Sequence, residues 1–152
     1  MTLYHHIHIS PVPVEVPYVK VEGSQGLGYR PYLPITFSYK SRQFPAGHAL
    51  VDTGSDITIL PLYIAHLLEI ELDDEKRIEL DSAGGGSFSA LPSLRQIGFC
   101  IERKGFRPIQ WEGTAYFAEH EPVILLGHHD CLEKFDVTFH GPERKLSLLP
   151  RF

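Results

Sequence analysis

Glycine and proline set the first limit on the fold. The 152-residue chain carries 13 Gly and 12 Pro, spread along its length rather than gathered into one linker. Glycine weakens regular structure through its wide backbone freedom, and proline through its fixed φ and missing N–H. The apolar runs between them stay short, which predicts many short strands joined by turns. The expected class is mainly β with one or two short helices, in one domain. Hydrophobic residues at 43% and charged residues at 22% suit a packed core rather than a disordered chain. The formal net charge of −5 with His neutral is the wrong sign for a nucleic-acid surface. No apolar run approaches the ~20 residues that span a bilayer, so no membrane partner is expected. The start shows no basic-then-apolar leader, and Cys100 and Cys131 read as free thiols of a reducing, cytoplasmic setting.

Residues 1–30 read as an N-terminal extension with no packing assigned, and 31–152 as the domain proper. Tyr4–Ile9 and Val14–Val21 alternate like half-buried strands, with prolines that push them towards an edge. Glu22–Gly28 has the composition of a loop. Leu33–Tyr39 reads as a strand, Pro45-Ala46-Gly47 as a turn, and His48–Val51 as the next strand. Leu62–Leu68 is the expected helix, with Ile64, Leu67 and Leu68 at helical spacing and Pro61 just before it. Ile78–Leu80 and Phe88–Leu91 flank a glycine-rich tip and predict a hairpin. Strands follow over Leu94–Ile101 and Ile109–Phe117. Val123–Leu126 is a continuous apolar run, as in a strand covered on both faces. A short helix over Asp130–Phe135 and strands over Asp136–Phe139 and Lys145–Leu149 complete the reading.

The chemistry concentrates in Ala49–Leu60, where an apolar strand runs into Asp52-Thr53-Gly54-Ser55 and a second apolar run follows. This places Asp52 at the end of a buried strand, where water is scarce and a carboxylate has a fixed direction and a tunable pKa. Thr53 offers a hydroxyl that can lock a turn, Gly54 permits close backbone approach, and Ser55 can hydrogen-bond to a carboxylate. Taken alone, the tetrapeptide also fits an ordinary Asx turn. The second segment, Val123-Ile124-Leu125-Leu126-Gly127, is what sets it apart.

These stretches resemble the retropepsin-like aspartic proteases over roughly residues 31–150. Ala49–Leu60 matches the catalytic loop, Ser82–Ser89 the flap, and Val123–Gly127 the apolar-apolar-Gly segment. Leu132–Phe139 is similar to the endings of the single-domain bacterial members. The resemblance implies a closed β-barrel acting as a homodimer, because Asp-Thr-Gly occurs once in the chain and each subunit supplies one catalytic Asp. It implies an aspartic endopeptidase in which two Asp52 carboxylates share a proton and activate a water, with no metal and no cofactor. Thr53 would bridge the subunits beneath that pair, and Gly54 would offer a carbonyl to the substrate. Ser55, Asp56 and the flap glycines Gly84, Gly85 and Gly86 would bind an extended peptide. The alternative is a peptide-binding or dimerisation module of the same fold that cleaves nothing. Where viral members carry an Arg after the second glycine, this chain has His128. A His128–Asp56 pair would lose its charge near neutrality, which predicts tighter dimers at acidic pH.

Other residues take simpler readings. His5, His6 and His8 suit a surface strand, and His128-His129-Asp130, being adjacent, point apart rather than converge on an ion. Cys131 reads as a buried structural thiol rather than a nucleophile. Trp111 reads as core or rim, and Glu69–Glu75 as a solvated loop. Ser55 lacks the G-x-S-x-G context of a nucleophilic serine.

Overall fold

The computed structural model describes residues 12–23 and 26–152, so the expected strand at Tyr4–Ile9 and its histidines lie outside the described residues. The chain is mainly β. It opens with β1 (Val14–Pro17), β2 (Val19–Gly23) and β3 (Gly26–Arg30). Most of the segment expected to be a loop, Glu22–Gly28, is instead the facing ends of the antiparallel β2–β3 pair. Val14 and Val16 are each 3% exposed and belong to the main core. β1 is therefore built into the domain, paired with the last strand.

Alternation positions the next elements. β4 (Tyr32–Tyr39) buries Leu33, Ile35, Phe37 and Tyr39 and turns the residues between them outward. β5 (Arg42–Val51) pairs with it and runs straight through Pro45-Ala46-Gly47, where a turn was expected. The register explains how. Leu33 faces Ala49 but Ile35 faces Ala46, so β5 carries an extra residue around Gly47 and absorbs the breakers as a bulge. β12 joins the other edge of β5 only from Ala49 onwards, so among the described strands Pro45 lies on a stretch of β5 paired along one edge, with β4, the setting in which a strand tolerates proline.

β6 (Ile59–Pro61) leads directly into α1 (Leu62–Leu68). Ile64 and Leu68 are buried as expected, but Leu67 is 55% exposed and Ala65 takes its inward place. β7 (Ile78–Asp81) and β8 (Ser87–Pro92) form the expected hairpin. β9 (Ile97–Ile101) and β10 (Ile109–Gly113) follow, then β11 (Tyr116–Ala118) and β12 (Ile124–Leu126). The strand expected over Ile109–Phe117 is thus divided after Gly113. The Thr114 N–H donates to Asp130 Oδ2 at 2.8 Å, which takes that backbone group out of any ladder. A single 3₁₀ turn at Leu132–Lys134 stands where a short helix was expected, followed by β13 (Phe135–His140) and β14 (Lys145–Pro150).

The large sheet has the order β10-β9-β4-β5-β12-β6-β11-β8-β7, and a three-stranded sheet has the order β1-β14-β13. β10 and β7 end the large sheet without pairing to each other, so among the described residues it is an open sheet and not the closed barrel expected. Period-2 alternation fixes which face of a strand is buried and carries no information on closure. On the large sheet, Phe99 stacks on Trp111 at 5.1 Å and meets Phe37 edge-on at 5.3 Å; Trp111 meets Phe135 of β13 at 5.1 Å, and its Nε1 donates to Asp130 O at 2.8 Å. Trp111 is a core residue with a satisfied polar tip. No helix among the described residues is long and apolar enough to cross a membrane.

Candidate active site

β5 ends at Val51, and the chain then turns back on itself around Asp52. The Gly54 N–H donates to Asp52 Oδ1 at 2.9 Å, and the Ser55 N–H to Asp52 O at 3.2 Å. This is an Asx turn that fixes the carboxylate relative to its own backbone. A Cβ on Gly54 would lie 3.2 Å from that same Oδ1, so glycine leaves the carboxylate room. Asp52 is half-buried, while Thr53 and Gly54 are exposed.

The loop is fastened from behind by the second segment. β12 lies parallel to β5, with Leu126 opposite Val51, and the Asp52 N–H donates to Leu126 O at 3.0 Å. The Gly127 N–H donates to Thr58 Oγ1 at 3.2 Å, and Thr58 is fully buried. The His128 N–H reaches Ser55 O at 3.0 Å and the His129 N–H reaches Asp56 O at 2.8 Å. Gly127 is the pivot of this interlock. A Cβ there would sit 2.1 Å from Ile57 O and 2.7 Å from Ser55 O, closer than any side chain tolerates.

Three side chains differ from expectation. Ser55 Oγ donates to Ile57 O at 2.7 Å, so it braces the loop rather than the Asp52 carboxylate. The His128 ring places Nε2 at 2.7 Å from Thr53 O. A carbonyl only accepts, so that nitrogen carries the proton. This contact stands where a pair with Asp56 was expected. His129 meets Asp130 Oδ2 and Glu133 Oε1, each at 3.6 Å, and among the described residues these three lie close enough together to hold a cation. Both carboxylates already serve the backbone, Asp130 through Thr114 N–H and Glu133 through the Asp130 N–H at 2.8 Å. The cluster therefore works as a clasp between the turn after β12 and the gap after β10.

Behind the loop lies Cys131, 2% exposed. Burial pushes its thiol up to about 12, offset in part by a hydrogen bond with Thr58. A protonated, enclosed thiol is structural, as the sequence implies.

The hairpin closes through Ser82. Its N–H donates to Gly86 O at 2.9 Å, and its Oγ accepts the Gly84 N–H at 3.3 Å. Gly85 and Gly86 hold φ of +88° and +87°, a region that disfavours side chains. Residues 81–87 are all exposed. Between this hairpin and the Asp52 loop lies a small apolar cluster separate from the main core. Ile59, Ala90 and Ala118 are buried in it, and Ile57, Phe88, Tyr116 and Leu125 are half-buried around them. These half-buried positions were not legible as site residues. Leu125 hides inside an apolar run that reads as wholly buried, although it faces the small cluster while Ile124 and Leu126 face the main core.

The arrangement offers an oriented carboxylate at a strand end, an apolar wall beside it and a hairpin with an exposed glycine tip. No family model matches the chain, and no curated protein matches it.

Proposed function

We propose that this chain is one subunit of a homodimeric aspartic endopeptidase, similar to the retropepsins, that hydrolyses peptide bonds in extended polypeptides. The observation that carries the reading is the interlock of the Asp52 loop with the Ile124–His129 segment. Asp52 is tied to Leu126, and Gly127 to Thr58, at spacings that leave no room for a side chain at Gly127. That fastening holds one carboxylate still and leaves the exposed Thr53–Gly54 edge open to a second copy.

In the dimer the two Asp52 carboxylates face each other across the two-fold axis. Like charges so close repel, so the pair shares one proton between them. The ionised carboxylate takes a proton from a water as that water attacks the peptide carbonyl, and the protonated one donates to the carbonyl oxygen. The roles then exchange to protonate the leaving amine. The Gly54 N–H on Oδ1 keeps each carboxylate oriented through both halves of the cycle. The peptide lies extended along the wall formed by Ile57 and Leu125, and the β7–β8 hairpin closes over it and excludes water.

The test is cleavage of a mixed peptide library between pH 3 and pH 8, with sedimentation of the same samples. Cleavage that falls by about a thousandfold or more in Asp52→Asn, within the range of a lost general acid–base group, supports the enzyme. A stable dimer that cuts nothing at any pH would make the chain a binding module instead.

A further inference from the structure

We infer that the space between the hairpin tip and the turn at Glu119–Pro122 is a subsite for a cationic side chain, arginine or lysine, of the peptide substrate. The inference rests on the peptidase reading and names the class of residue that its groove selects. Two cavities meet there, of about 410 Å³ and about 390 Å³, and they share Ser87, Phe88, Glu119 and His120. Phe88 gives them an apolar wall, continued by Phe117 in one and Pro122 in the other.

The charges around this space are unbalanced. Glu119 borders both cavities and is exposed, and Glu121 borders the second and is half-buried. Glu121 Oε1 accepts the Val123 N–H at 3.3 Å, which folds the carboxylate back towards its own turn. Arg77 lines the first cavity, but its Nη2 lies 3.4 Å from Asp74 Oδ1, so its charge already has a partner. His120, at φ +62°, turns the backbone between the two acids. The second cavity thus has Glu119 at its border, with Glu121 beside it on the same turn, next to Phe88 and Pro122 and with no Lys or Arg among its described lining residues, while Arg77, on the first cavity, pairs with Asp74 at the surface.

An arginine or lysine side chain fits both parts. Its methylenes lie along Phe88 and its charge reaches Glu119 and Glu121. An acidic side chain would meet like charge, and an apolar one would leave the carboxylates unanswered. The position is close to the chemistry. Pro122 precedes by four residues Leu126, whose carbonyl receives the Asp52 N–H, and four extended residues reach at most about 14 Å. The subsite therefore serves a residue within a few positions of the bond to be cut.

The test walks a single arginine, or a leucine in its place, through each position of an otherwise constant extended peptide. Cleavage by the wild-type protein and binding to the Asp52→Asn protein are both measured. At one position arginine should exceed leucine by about tenfold in kcat/KM and in affinity, weakening as salt screens the charges. The double variant Glu119→Gln with Glu121→Gln keeps an acceptor for Val123 and should bring the two peptides within about twofold. Cleavage that favours leucine or glutamate at every position overturns the subsite and leaves the peptidase standing. Asp52→Asn protein that prefers the arginine peptide, beside wild type that cuts neither, keeps the subsite and overturns the peptidase. Equal binding of both peptides to Asp52→Asn overturns the subsite.

Discussion

The Asp52 loop and the tip of the β7–β8 hairpin are both turns rich in glycine, yet they are held in opposite ways. The loop donates from the Asp52 N–H to Leu126 O and accepts from the N–H groups of Gly127, His128 and His129, all on a distant segment. Among the described residues the tip bonds within itself, through Ser82 to Gly84, Gly85 and Gly86. Glycine serves contact in one and curvature in the other. Gly127 is required because backbone lies where its Cβ would be, whereas Gly85 and Gly86 are required by φ, with open space around them. The part that needs a fixed carboxylate is anchored through residues far apart in sequence. The hairpin tip, which the proposed peptidase would open for a substrate, bonds to its sequence neighbours.

The largest expected break in that contrast is Gly127→Ala. Its Cβ meets Ile57 O at 2.1 Å, so Ile57 or β12 must shift. Urea unfolding should show a loss of at least about 3 kcal/mol. A loss under about 1 kcal/mol would mean that the interlock yields easily.

Next in size is a pH effect confined to the anchored side. The Cys131 thiol stands at about 12 in the folded chain, against roughly 8.5 when unfolded. A raised folded value stabilises fully below the unfolded one, and that contribution drains away as pH rises towards 12. From pH 7 to pH 10 wild type should lose about 2 kcal/mol more than Cys131→Ala does. Denaturant curves of both proteins at the two pH values decide this, and parallel losses would show that the thiol is not sealed behind Thr58.

The smallest effect belongs to the tip. At Gly84 an added Cβ finds nothing nearer than Ser82 Oγ at 3.8 Å, and its φ is not in the left-handed region. Gly84→Ala should stay within about 0.5 kcal/mol of wild type by the same unfolding measurement, as exposed substitutions do. A loss as large as that of Gly127→Ala would erase the distinction between the two turns.

Much of this was readable in advance because it depends on local pattern. The Asp52 turn, the hairpin around Gly84–Gly86 and the apolar run ending in Gly127 announce themselves by composition and spacing. Leu62–Leu68 does so by its position after Pro61. What escaped depends on partners across the fold. Pro45–Gly47 has the composition of a turn, but its place beyond the reach of β12 lets it extend. Ser55 and His128 have several hydrogen-bonding choices, and Ile57 O and Thr53 O win because the loop curls to present them. Glu119 and Glu121 carry no motif, and only the approach of the hairpin gives them a shared space.

The pairing of Val14 with Leu148 in β1 and β14 bears on how the molecule comes into being. A nascent chain must carry Val14 and Val16 without their partner while nearly all of the intervening sequence is translated. Such a distant pairing slows folding and leaves an unsatisfied strand edge that invites association with other chains. The β1–β14 pairing of this domain therefore forms only once β14 has left the ribosome.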